Sequence, residues 1–135
     1  MKVTRSQRIL TVNDDAQSEL LRGALAARGF DVTAAPDYED AYRQILETRF
    51  ALVVIDLVET AAGVEFIKRV RGTTNLTPPL LLVIAEWGSG GATLALSQGA
   101  DAYEPKPVDA ARLVDSVERL LGTKALSAWG KIGAE

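Results

Sequence analysis

Residues Ala51 to Leu57 read ALVVIDL, and this stretch decides how the rest of the chain is read. Five apolar residues run directly into a carboxylate, Asp56. A short run that is apolar on both alternating faces suits a central parallel strand covered by helices from each side. Within such a strand an ionised carboxylate would be costly to desolvate. At the strand's end the same group can meet solvent, a counter-ion or a ligand, so Asp56 is assigned to a site at a carboxyl end and not to the core.

Working outward, short apolar runs alternate with segments of helical period. Strands are expected at Arg8 to Asn13, Phe30 to Ala35, Ala51 to Asp56, Leu80 to Ala85 and Ala100 to Glu104. Helices are expected at Asp15 to Arg28, Asp37 to Thr48, Gly63 to Arg71, Ala92 to Gln98 and Val108 to Leu121. Gly29, Gly99 and Gly122 stand where C-terminal stops belong. Alternation of strand and helix favours a parallel sheet with helices on both faces, and right-handed crossovers restrict its topology. Residues 1–122 are taken as the domain, with 123–135 as a tail or the start of a linker.

Composition narrows the chemistry. The chain of 135 residues fits one domain, and a net charge of -3 without a basic stripe gives no reason to expect nucleic acid as a partner. No apolar run reaches the roughly 18 to 20 residues needed to cross a bilayer, and the N-terminal stretch lacks a signal-peptide h-region. A cytoplasmic location without membrane contact is therefore expected. Histidine and cysteine are both absent, which excludes Cys- or His-ligated zinc and Ser-His-Asp or Cys-His nucleophile systems. Any chemistry falls to carboxylates, lysine, arginine, hydroxyls, backbone groups or a bound metal.

The polar residues at strand ends supply such a set. Asn13, Asp14 and Asp15 follow the first strand, Asp56 ends the third, Glu86 follows the fourth and Lys106 the fifth. In a doubly wound sheet these ends share one rim, where ligands bind. Gathered carboxylates repel and call for a cation, and oxygen-only ligands suit a hard ion such as Mg²⁺. An Asp carboxylate can attack phosphorus to form an acyl phosphate, and Lys106 can pair with a phosphoryl oxygen as a point charge. Asn13 and its neighbouring acids also suit helix capping. The glycine-rich EWGSGG loop at Glu86 to Gly91 could approach an anion, but it lacks Walker spacing.

The stretches RILTVNDD, LVVIDLV, GAD at Gly99 to Asp101 and YEPKP at Tyr103 to Pro107 resemble the receiver domains of two-component response regulators, over roughly Arg8 to Leu121. The resemblance implies a flavodoxin-like, doubly wound (βα)5 fold with a five-stranded parallel sheet in the order 2-1-3-4-5. It puts Asp56 at the phosphoacceptor position and Asp14, with Asn13 or Asp15, at the acidic metal-binding pair. Asp56 and the carbonyl of Val58 would complete the Mg²⁺ ligands. Lys106 lies at the family's invariant lysine, Lys106-Pro107 at its usual cis peptide, and Tyr103 at its aromatic switch. The implied partners are a sensor histidine kinase or histidine phosphotransfer protein and a downstream protein. The apolar stripe of Val108 to Leu121 is mostly core; any exposed part of it could join the last strand in a homodimer face. The expected role is signalling, not enzymatic turnover.

The chain departs from the family pattern at several points. Ile84, followed by Ala85, occupies the place where the family usually has Ser or Thr. Thr60 stands where a proline is common, and Asn13 fills the first acidic slot. These departures motivate an alternative, a pseudo-receiver that keeps the fold as a docking surface and uses no phosphate. A flavodoxin-like small-ligand binder fits less well. A cobalamin domain of this shape would use a histidine, and a flavin site would want hydroxyls where NDD stands.

Overall fold

The structure, a computed structural model, describes residues 7–12, 16–73 and 78–133, with only the backbone described for 16, 17 and 123–133. The elements run β1 (Arg8–Val12), α1 (Ala16–Ala27), β2 (Asp31–Ala35), α2 (Tyr38–Glu47), β3 (Leu52–Asp56), α3 (Thr60–Arg71), β4 (Leu80–Glu86), α4 (Gly91–Ser97), β5 (Ala102–Lys106) and α5 (Ala110–Gly133). The strands form one sheet in the order β2-β1-β3-β4-β5, and every adjacent pair is parallel. This is the flavodoxin-like, doubly wound arrangement expected from the sequence.

Strand periodicity sorts the core into two layers. Leu52 and Val54 of β3, with Ile9, Leu82 and Ile84, pack on α1 and α5 through Leu25, Leu113 and Val117. Val53 and Ile55, with Leu10, Leu81 and Val83, pack on α2, α3 and α4 through Ile45, Ile67 and Ala95. Leu52, Val53 and Ile55 are wholly buried, each contributing roughly 1.5–3 kcal/mol of transfer free energy. That two-sided burial is why the ALVVID run shows no polar alternation.

Among the boundaries that differ from the sequence expectation, three have a local physical cause. Helix α3 starts at Thr60, not Gly63. Thr60 stands where a proline would restrict the chain, and Ala61 and Ala62 are strong helix formers, so the helix begins earlier and takes Gly63 inside it. Strand β5 runs to Lys106 through Pro105. As an edge strand it can accommodate a residue that has no N–H to donate. Helix α5 passes through Gly122 to Gly133. A glycine costs a helix only about 1 kcal/mol relative to alanine, and the following residues include alanine, leucine and lysine.

Away from the carboxyl rim, Arg71 ties the sheet together. Its guanidinium donates to the carbonyls of Gly99 (2.8 Å) and Pro79 (3.0 Å) and to Asp101 Oδ2 (2.7 Å), and Asp101 Oδ2 also accepts the Leu81 N–H at 2.8 Å. Beneath the rim, the buried Glu104 carboxylate accepts from Arg112 Nε at 2.8 Å and from the Ser116 hydroxyl, which joins β5 to α5.

Leu57, next to Asp56, sets the spacing of α3 and α4. Its N–H donates to the Ile84 carbonyl at 2.8 Å, and its side chain is buried. A Cβ added at Gly63 would lie 2.2 Å from Leu57 Cδ1, and one at Gly91 would lie 3.1 Å from Leu57 Cδ2. The two glycines therefore form the walls of a slot for one leucine. Gly63→Ala is expected to destabilise the fold by about 1–3 kcal/mol through overpacking, against a helix-propensity gain of about 1 kcal/mol. In the Gly63→Ala/Leu57→Ala double variant the two costs should fail to add. Urea denaturation of the four proteins measures this, and simple additivity would contradict the slot.

Candidate functional site

Parallel pairing brings the chemistry-bearing residues together at the carboxyl rim. Asp56 is in register with Ile84, and Glu86 is in register with Lys106. Because side chains alternate along a strand, these four share the face that carries α1 and α5. Tyr103, one strand position off, belongs to the opposite face and packs half-buried against the cluster beneath α2, α3 and α4.

The central contact is ionic. Lys106 Nζ lies 2.6 Å from Asp56 Oδ1, with the two side chains 25% and 17% exposed. The contact is an ion pair, and among the described residues Oδ1 has no other polar partner. Lys106 is followed by a cis bond to Pro107. Around the pair lies a cleft of about 420 Å³ lined by Leu21, Asp56, Ile84, Glu86, Lys106, Pro107 and Val108. Beyond the pair, the cleft offers the carboxylate of Glu86 and several apolar walls. Ile84 is 3% exposed and brings a methyl-rich side chain to the place beside Asp56 where a hydroxyl was sought.

The chain turns sharply as it leaves β3. The Val58 N–H donates to the Asp56 carbonyl at 3.0 Å, and the Val58 side chain is exposed. Asn13, Asp14 and Asp15, proposed at the acidic pair, lie outside the described residues. Among the described residues no three His, Cys, Asp or Glu side chains cluster as a metal site. What is described suits a hard cation chemically: the Asp56 carboxylate at the rim of a chain whose side-chain donors there are oxygens, without cysteine or histidine.

Two neighbours of the site were not singled out from the sequence. Tyr38, at the start of α2, stacks on Phe66 with ring centroids 4.9 Å apart. Its phenol is pushed up to about 12, first by burial and then by the negative charges of Asp56 and Glu59. It therefore stays neutral beside these acids at physiological pH. Thr11 is buried in β1, and its hydroxyl has no hydrogen-bond partner. The signal for it was present in RILTVN, a polar residue inside an otherwise apolar run. Trp87, left open by the sequence, projects into solvent at the start of the loop before α4. No helix among the described residues is long and apolar enough to cross a membrane.

Comparison with known proteins accords with this geometry. Residues 9–118 match the response regulator receiver domain family. The chain is 32% identical over 120 residues to the DNA-binding response regulator MtrA of Mycobacterium tuberculosis, covering 87% of this chain and 52% of that protein. It is 33% identical over 126 residues to the transcriptional regulatory protein PrrA of Mycobacterium leprae, covering 91% of this chain and 53% of that protein. The chain thus spans about half the length of these relatives. A response regulator signal receiver domain from Bermanella marisrubri superposes with a TM-score of 0.77 at 26% identity, over 87% of this chain and 99% of that one. The chemotaxis response regulator CheY4 of Vibrio cholerae shares the fold, with a TM-score of 0.77 at 22% identity over 85% of this chain and 98% of that one. The chain belongs to the response regulator receiver domains, signalling modules of two-component systems.

Proposed function

We propose that this domain is a phosphoacceptor in a phosphorelay. A phosphohistidine on a sensor kinase or histidine phosphotransfer protein presents its phosphorus in the rim cleft. An Asp56 carboxylate oxygen attacks, the P–N bond breaks, the imidazole leaves and takes up a proton, and an acyl phosphate remains on Asp56. Lys106 moves from pairing the carboxylate to pairing the phosphoryl oxygens, whose added charge is about -1.5 to -2. Asp14, Asp15, Asp56 and the carbonyl of Val58 would hold Mg²⁺, which when bound would supply positive charge against that build-up. The observation that carries this reading is the 2.6 Å pairing of Lys106 with Asp56 at the ends of two different strands.

The output is a changed contact with a downstream protein, or with a second copy through β5 and α5, in the cytoplasm. The relatives named as DNA-binding regulators are about twice as long as the matched region, so their DNA contact is not carried over to this domain, whose chain has a net charge of -3. Tyr103, packed on the face opposite the cleft, is the group proposed to report the charge change.

A second reading is favoured by Ile84. Without a hydroxyl beside Asp56, a bound phosphoryl group loses one hydrogen bond, and the domain would serve as a pseudo-receiver that docks partners in one state. Incubation with acetyl phosphate and Mg²⁺ separates the two. The phosphoacceptor reading expects an acid-stable, base-labile adduct that is absent in Asp56→Asn and forms roughly 10²-fold more slowly in Lys106→Ala. No adduct on the parent protein, from acetyl phosphate or from a phosphorylated histidine donor, would establish the pseudo-receiver instead. Ile84→Thr is expected to speed adduct formation about fivefold, the worth of one hydrogen bond; stopped-flow fluorescence of Trp87 provides the rate.

A further inference from the structure

We infer that Thr11 holds one buried water against the inner side of Asp56 and so acts as a positioning residue for the acceptor carboxylate. Three observations converge on this. Thr11 is 4% exposed, and among the described residues its buried Oγ1 has no hydrogen-bond partner. Asp56 Oδ1, buried as well, is paired among the described residues only with the Lys106 ammonium. Between them lies a small cavity of about 10 Å³, lined among the described residues by Thr11, Val12, Ser18, Leu21, Val54, Asp56 and Ile84.

The size and the polarity of this cavity both fit a single water. A cavity of roughly 10–15 Å³ admits one water molecule, and a buried water typically makes about three hydrogen bonds. Here the water accepts from the Thr11 hydroxyl, donates one proton to the Asp56 carboxylate and donates the other to Ser18 Oγ. The Ser18 oxygen can accept while keeping another contact, because a hydroxyl offers two lone pairs and one donor. A buried hydroxyl left alone costs about 1–3 kcal/mol, so an unpartnered Thr11 in the middle of a close-packed strand needs such a partner.

The consequence concerns orientation. Strand pairing sets Thr11 beside Val54, two residues before Asp56 on the same face of β3. A water seated there holds the carboxylate from the side opposite the cleft, while Lys106 holds it electrostatically. Ile84 provides no polar contact from β4, so the water and the lysine together define which way the carboxylate faces. This inference rests on the phosphoacceptor reading only for its kinetic consequence. The hydration site itself does not depend on it.

The tests separate the two. A crystal structure at a resolution that shows waters should place one within about 3.2 Å of both Thr11 Oγ1 and the Asp56 carboxylate; a dry cavity overturns the inference. Thr11→Val, nearly identical in shape, should lower the urea midpoint, Thr11→Ser should restore it, and the loss should vanish in an Asp56→Ala background. A Thr11→Val protein as stable as the parent, or more so, is what a truly orphaned hydroxyl gives, and it overturns the inference, as does an equal loss in the Asp56→Ala background. With acetyl phosphate, Thr11→Val should slow adduct formation about fivefold without changing the donor concentration at half-saturation, and Thr11→Ser should recover the rate. If the parent forms no adduct, the phosphoacceptor reading fails while the crystal and urea arms still decide the water.

Discussion

One constraint organises this protein: a strand wholly buried on both sides must surrender its only charge at its end. β3 is sealed by helices on either face, so its carboxylate has the rim as its one outlet. There Asp56 meets Lys106, delivered by a strand that is two places away in the sheet. The pair is only partly desolvated, which keeps the cost of bringing two charges together low and leaves the carboxylate open to a ligand. The same arrangement explains why polar groups gather at the carboxyl rim while Arg71 and Asp101 perform a structural task elsewhere in the sheet.

Adjacent residues of β3 belong to different layers. Asp56 faces the cleft beneath α1 and α5, whereas Leu57 fills the slot made by Gly63 and Gly91 between α3 and α4. Tyr38 borders that slot, and its phenol pKa is raised chiefly by burial and further by the charges of Asp56 and Glu59. The Asp56 carboxylate is therefore one peptide bond from a tightly packed contact between two helices. Close-packed groups of this kind transmit displacement instead of absorbing it.

Much of this was legible beforehand because it follows from local periodicity. Continuous apolar runs identified β3 and β4, and the alternation of strand and helix implied a parallel doubly wound sheet. Asp56, Glu86 and Lys106 could be assigned to one rim from their positions at strand ends alone. Boundaries were less legible where competing preferences were close. Gly63 and Gly122 read as helix edges, yet each lies within a helix, because a single glycine's cost is small against a neighbouring run of good helix formers. Thr11 is marked in RILTVN only as a polar residue in an apolar run, and its burial is visible only in the packed structure.

By itself, the sequence determined the fold class, the absence of thiol and imidazole chemistry, and the identity of the acid and the base at the rim. These depend on residue type and on spacing along the chain. Only the tertiary structure decided that Lys106 stands 2.6 Å from Asp56 and that Leu57 is gripped by two glycines. Each of these is a contact between strands or helices far apart in sequence. Their distances are set by how the layers pack, and no local pattern of residues encodes that.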